Sequence, residues 1–191
     1  MHNDLTFITN ENGQSLSKRF NALIKDTRFF DVLSGYFYTS GFYAVYPSLE
    51  KTEKIRILIG ISTNRQTYDL IQRIQSQKEI KEEFGNEVKE EMTESCDNAL
   101  VEEGVPKFLA WLKSGKLEIR AYPEEKIHSK VYIMTFKEDD RDLGRVITGS
   151  SNFTQSGLVD NLEFNVELKN PSDYEFAKNK FEELWDKGVD V

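Results

Sequence analysis

The chain of 191 residues has a single cysteine, Cys96. No internal disulfide can form, and a reducing compartment, the cytoplasm, is expected. No apolar run approaches the ~20 residues a membrane span needs. Met1-His2-Asn3-Asp4 is not a basic stretch leading into an apolar one, so no secretory signal is expected. Two histidines and one cysteine are too few for a zinc site, and no metal or cofactor is expected. Gly60 stands alone, and no Gly-Lys-Thr/Ser of the phosphate-loop kind occurs. The chain by itself therefore has no ATPase or helicase chemistry, and a motor would have to lie on another segment or a partner.

Positive charge is also scarce. The formal net charge is -8, which at first sight argues against a nucleic-acid partner. The imbalance is local, however. Residues 78–103 hold ten acids against three lysines and so carry -7 of that charge, which leaves the rest close to neutral. This acidic segment reads as a solvated helical face. With 38% hydrophobic and 30% charged residues, the composition is that of a soluble globular protein, and residues 1–191 fit one domain with a proper core.

Leu16, Phe20, Leu23 and Ile24 have the spacing of an amphipathic helix. Phe29 to Tyr36 reads as a buried strand. Ser40 reads as the cap of a short helix that reaches Leu49. Ile55 to Ile61 (I-R-I-L-I-G-I) is a short, branched, almost wholly apolar strand. A long helical region is expected from about Arg65, with a break near Gly85-Asn86, and then a helix from Val105 to Lys113 with Pro106 in its first turn. Strands follow at Leu117–Tyr122, Lys130–Phe136, Arg145–Thr148 and Glu163–Leu168, the middle two joined by an acid-rich turn as a hairpin. Tyr174, Ala177, Phe181, Leu184 and Trp185 mark a last helix, entered through Asn170-Pro171-Ser172. The expected fold class is α/β, a mixed and largely buried β-sheet with helices on both faces.

The chemistry-bearing residues fall in the second half. His128-Ser129-Lys130 opens one strand, and two residues apart on a strand point to one face, so a nucleophile and a cation stand side by side. Gly149-Ser150-Ser151-Asn152 forms a turn that can add hydroxyl and amide donors, and Glu163 follows in N-L-E-F-N-V-E-L. This set suits attack on a phosphodiester. Taken singly, each piece is an ordinary feature of soluble proteins. Together, in this order and with these flanks, they are specific. The aromatic run from Gly35 to Tyr43 could stack bases, but reads more simply as core and a strand-to-helix turn.

In these residues the chain resembles the phospholipase D superfamily, whose signature is H-x-K, four residues, D, and then G-S-x-N. His128, Lys130, Ser150 and Asn152 match it. Glu163 matches the glutamate that single-motif nucleases of the superfamily place against the histidine. G-Y-F-Y-T-S-G-F and I-R-I-L-I-G-I look like the start of the same domain. The likeness is closest to the phospholipase-D-like modules at the N-termini of bacterial helicase-related and restriction-type proteins. The chain therefore reads as complete in itself or as the N-terminal module of a longer protein. Thr135 stands where the signature has its aspartate, an acid that in the family helps shape the motif.

The resemblance implies a metal-independent phosphodiesterase acting on DNA. His128 would attack phosphorus to form a phosphohistidine. Lys130, Ser150 and Asn152 would bind the phosphate, and Glu163 would set the imidazole tautomer. A second histidine must protonate the leaving oxygen. The chain carries one motif, and His2 lies at the terminus, so the resemblance implies a C2 homodimer with the site at its interface and no membrane partner. The alternative is a degenerate, non-catalytic domain that binds DNA or a partner, or only dimerises.

Overall fold

The computed structural model describes residues 6–35, 37–60, 99–123 and 127–190, with the side chains of residues 99–102 left aside. One mixed eight-stranded sheet organises them. Its strands are β1 (Phe7–Ile8), β2 (Thr27–Ser34), β3 (Lys54–Gly60), β4 (Leu117–Tyr122), β5 (Lys130–Phe136), β6 (Gly144–Gly149), β7 (Asn165–Leu168) and β8 (Val189–Asp190), in the order β1-β7-β6-β5-β2-β3-β4-β8. β2, β3 and β4 run parallel and every other pairing is antiparallel. β3 sits inside the parallel part with both faces covered, which is why its sequence is nearly continuous in apolar residues.

Helices α1 (Leu16–Ile24), α2 (Thr39–Leu49) and α3 (Ala99–Ser114) cover one face, over a core built on Phe20, Phe30, Phe42, Phe108 and Tyr132. Helix α4 (Pro171–Asp186) covers the other with Tyr174, Phe181 and Trp185 against Leu58, Ile133 and Val146. The expected architecture, a mixed sheet flanked on both faces, is the one observed.

Several local expectations are corrected. α2 begins at Thr39 after Tyr38, so Ser40 lies inside the first turn; its hydroxyl instead accepts the Gln155 amide at 3.3 Å. α3 starts at Ala99, which puts Pro106 well inside the helix. Packing outweighs the missing N–H there. Gly104 lets α3 lie against α2, since a Cβ at that position would sit 2.4 Å from the Tyr43 ring. Glu163 lies ahead of β7, which starts at Asn165. The short strands β1 and β8 were not expected, because two-residue edge strands leave no periodicity to read. The helical region after Arg65 and residues 78–98 of the acidic segment lie outside the described residues, and residues 99–103 form the first turn of α3.

The buried charges show how the sheet is tied together. Asp31 on β2 is fully buried. It accepts from Arg56 Nε at 2.7 Å and Nη2 at 3.0 Å, and from Lys178 of α4 at 2.5 Å. Arg56 also donates to Glu182 and lies over the rings of Phe181 and Trp185 at 4.9 and 5.2 Å. On the opposite face the buried Glu167 of β7 is clamped by Arg19 through bonds of 2.6 and 2.8 Å, with Arg145 3.4 Å away. Each of these buried carboxylates has at least two cationic partners, the condition under which a buried charge is tolerated.

Candidate active site

The motif residues gather at one end of the sheet, where β2, β3 and β4 finish and β5 begins. Carboxyl ends of parallel strands are the usual place for a ligand in an open α/β sheet. His128 is exposed and lies two residues before β5; Lys130 is the first residue of that strand. The segment reaches its place by passing close over two neighbouring strand ends. The Gly35 amide donates to the Ser129 carbonyl at 3.1 Å. A Cβ on Gly35 would lie 2.8 Å from the Ile127 carbonyl oxygen, and one on Gly60 would lie 2.6 Å from the same atom. Glycine at these two positions is therefore a packing requirement of the His128 approach.

Lys130 is only 9% exposed. Its ammonium lies 3.4 Å from His128 Nδ1 and donates to the His128 carbonyl at 3.1 Å. Its main-chain carbonyl accepts the Thr148 hydroxyl at 2.9 Å, which fixes β5 to β6 at this level. Among the described residues no carboxylate forms an ion pair with Lys130, in contrast to the clamped Asp31 and Glu167. A nearly buried, uncompensated ammonium beside an imidazole is a site for an anion.

The Gly149–Asn152 turn ends β6. Ser150 donates its hydroxyl proton to Glu163 Oε2 and accepts the Phe164 amide at 3.0 Å. Ser150 is thus engaged with the glutamate, where the resemblance gave it to the phosphate. Ser151 is fully buried and builds the turn. It donates to the Gly157 carbonyl at 2.8 Å, exchanges bonds with the Asn165 carboxamide at 2.9 and 3.3 Å, and its carbonyl accepts the Tyr132 hydroxyl at 2.7 Å. Burial, followed by the nearby Glu163 charge, pushes the Tyr132 hydroxyl well above the ordinary tyrosine range, so it stays a donor. Asn152 has its carboxamide oxygen shielded from water and, among the described residues, with no hydrogen-bond partner. Leaving such a group unpaired costs on the order of 1–3 kcal/mol.

The two halves of the set are brought level by strand register. Continuing the β5–β6 pairing from Val131 and Thr148 puts His128 opposite Ser151. Continuing the β6–β7 pairing from Gly149 and Asn165 puts Ser151 opposite Glu163. His128 with Lys130 and Ser150 with Glu163 are the pairs in contact, and this row brings them to the same level of the sheet. Thr135 is five residues along β5 from Lys130, about 17 Å away at the usual rise per residue. It points to the opposite face, where its hydroxyl bonds the Tyr174 hydroxyl of α4 at 2.8 Å. The position of the missing aspartate is thus remote from the motif chemistry.

Tyr132, Asn165 and Asn10 support the turn and were not singled out in the sequence. Asn10 has φ 61° and spans the loop before Glu163, donating to the Gly157 carbonyl at 2.9 Å and the Asn161 carbonyl at 3.0 Å. Asn165 left a signal that could have been read: a polar residue at an inward position of an alternating strand.

The profile of the family described as "Cardiolipin synthase, PLD-like domain" matches residues 23–185. No curated protein matches the sequence. Among solved structures, the chain is similar to the phospholipase D family member Nuc from Salmonella typhimurium, with a TM-score of 0.56 and 15% identity over 97% of this chain and 95% of that one. It is similar to NucT from Helicobacter pylori at a TM-score of 0.53 and 12% identity, over 92% and 91% of the two chains. The archaeal chromatin protein TrmBL2 gives a TM-score of 0.50 and 14% identity over 100% of this chain and 57% of that one. At these identities the likenesses speak for the fold. The match covers most of the chain, from the end of α1 through α4, and the chain belongs to the phospholipase-D-like domain family.

Proposed function

We propose that the protein is a metal-independent phosphodiesterase that cleaves DNA through a phosphohistidine. The observation that carries this reading is the buried Lys130 ammonium, uncompensated among the described residues and 3.4 Å from His128 Nδ1. A phosphate docked there would neutralise Lys130 and lie within reach of the imidazole. An imidazole nitrogen of His128 attacks phosphorus, the P–O bond to one nucleoside oxygen breaks, and that oxygen takes a proton from a second imidazole. Water, deprotonated by the same second imidazole, then attacks phosphorus and releases His128. Lys130 and Asn152 hold the phosphate oxygens as charge builds on them. Glu163, steadied by Ser150, orients the His128 ring.

The second imidazole is His128 of a second copy, so the active form is a C2 homodimer with both motifs at the interface. Nucleic acid is preferred to lipid as the substrate. The likeness to Nuc and NucT over nearly the whole of each chain supports a single domain of this kind, and no helix of the described residues is long and apolar enough to cross a membrane. Residues 1–191 act as one domain, the N-terminal nuclease module of a helicase-related protein, and the single cysteine, Cys96, suits the cytoplasm.

A non-catalytic DNA-binding module is the second reading. It is favoured by the engagement of Ser150 with Glu163 and by the likeness to TrmBL2, a chromatin protein described with a novel mode of DNA binding. Cleavage of fluorescent single- and double-stranded DNA in EDTA separates the two. The enzyme reading expects cleavage by the wild type and loss of at least ~1000-fold in His128→Ala. Binding without cleavage by folded, dimeric protein would favour the second.

A further inference from the structure

The aromatic run after β2 divides in the structure. Phe42 and Tyr43 are buried, and Phe37 packs against the same core, its ring 6.3 Å from those of Phe108 and Phe153. Tyr38 is the exception, at 49% exposed. Its backbone is extended, with φ -132° and ψ 140°, and successive side chains of an extended segment point to opposite sides. Phe37 turns into the core, so the Tyr38 ring turns outward.

This outward ring stands at the rim of the site. The chain leaves β2 at Gly35, where a Cβ would lie 3.4 Å from His128 Cα. It then bridges at Phe37 to Phe153, the residue after Asn152. Tyr38 follows Phe37 and Asn152 precedes Phe153, so the two are diagonal neighbours across the bridge. A strand spacing of about 4.8 Å and two residues of about 3.3 Å put their Cα atoms roughly 8 Å apart. Each adjoins a phenylalanine directed into the core, so both side chains lie on the outer side.

We propose that Tyr38 stacks an unpaired nucleobase beside the phosphate held by Lys130 and Asn152, and so sets the preference of the site for nucleic acid among phosphodiesters. The proposal rests on the phosphodiesterase reading of that phosphate site. With a net charge of -8 the chain offers little long-range attraction to a polyanion, so short-range contacts to the bases have to supply affinity. Every base has a π-face, and the contact is therefore indifferent to sequence. In a duplex neighbouring bases cover that face, so the ring meets a base only where the strand is unpaired.

The test uses two fluorescein-labelled strands of equal length, oligothymidine and a wholly abasic strand with the same phosphates. Binding is read by fluorescence anisotropy at one salt concentration in the His128→Ala background, which leaves the strand uncut. Cleavage is read in EDTA with His128 intact. Tyr38→Ala should raise the dissociation constant for oligothymidine about tenfold or more and that for the abasic strand less than about twofold. Tyr38→Phe keeps the ring and should stay within about threefold of its parent on both strands. Circular dichroism should not change, because Tyr38 is exposed. Equal weakening on both strands overturns the proposal. So does a loss in Tyr38→Phe as large as in Tyr38→Ala, which assigns the contact to the hydroxyl, and so does a parent protein that binds oligothymidine no more tightly than the abasic strand. Failure of the enzyme reading looks different: base-dependent loss of binding in Tyr38→Ala, with no cleavage by the wild type, keeps the stacking contact and removes the phosphodiesterase. Wild-type cleavage of oligothymidine that Tyr38→Ala leaves unchanged in both kcat and KM keeps the enzyme and overturns the stacking contact.

Discussion

Replacing Ser150 with alanine distinguishes two roles for the hydroxyl. In the free protein its proton goes to Glu163 Oε2, and its oxygen accepts the Phe164 amide at 3.0 Å. A hydrogen bond to a carboxylate is worth about 1.5–3 kcal/mol, and its loss would let Glu163 leave the orientation in which the proposed mechanism has it support the imidazole. That interaction never touches substrate, so the whole deficit should appear in the chemical step. Between 1.5 and 3 kcal/mol, kcat should fall about 10- to 150-fold with KM within about twofold. Folding stability should drop by no more than about 1 kcal/mol, because Ser150 and Phe164 are exposed and water can replace the lost partner. Ser150→Thr keeps the hydroxyl and should recover most of the rate. The assay is steady-state cleavage of a fluorescent oligonucleotide, beside urea unfolding of each variant. A KM raised tenfold or more at unchanged kcat would refute the reasoning and return Ser150 to phosphate binding.

Three further outcomes are expected. Asp31→Asn leaves Arg56 and Lys178, among the described residues, with only Glu182 between them; urea unfolding should show a loss of about 3 kcal/mol, and a loss below about 1 kcal/mol would mean water reaches this cluster. Glu182 is held down at about 2 by its hydrogen bonds from Arg56 and then Lys178. A depressed carboxylate stabilises above its unfolded value near ~4.3 and loses that contribution as pH falls through about 2. Its side chain is 41% exposed, so the effect is screened. Glu182→Gln should therefore cost about 1 kcal/mol at pH 7, and the gap to the wild type should close between about pH 4 and pH 2; a gap independent of pH would refute the assignment. Thr135→Val removes the bond to the Tyr174 hydroxyl and should lower stability by about 1 kcal/mol while cleavage stays within twofold. A large loss of cleavage would mean that the two ends of β5 are coupled.

Most strands and helices were legible because local pattern and burial agree. β4 and β5 begin and end where the sequence places them, and α4 starts at Pro171 behind Asn170. The elements that were missed are those whose stability is not local. β1 and β8 exist only because β7 and β4 offer edges to pair with. α3 runs through Gly104 and Pro106 because α2 packs against it.

At the site, the chemical groups on offer can be read from the chain alone. It supplied one imidazole next to one ammonium, a Gly-Ser-Ser-Asn turn and a following glutamate, because the two-residue period of a strand sets side by side residues that lie close in the chain. Which of those groups meet one another follows from contacts between distant parts of the chain. The hydroxyl of Ser150 meets Glu163 across β6 and β7, Lys130 is buried with no acid paired to it among the described residues while Asp31 and Glu167 are each clamped by two cations, and Thr135 is turned to the far face. These outcomes depend on register between strands far apart in sequence and on which helix covers which face. Such contacts are set by the packing of the whole sheet, and no local pattern in the chain encodes them.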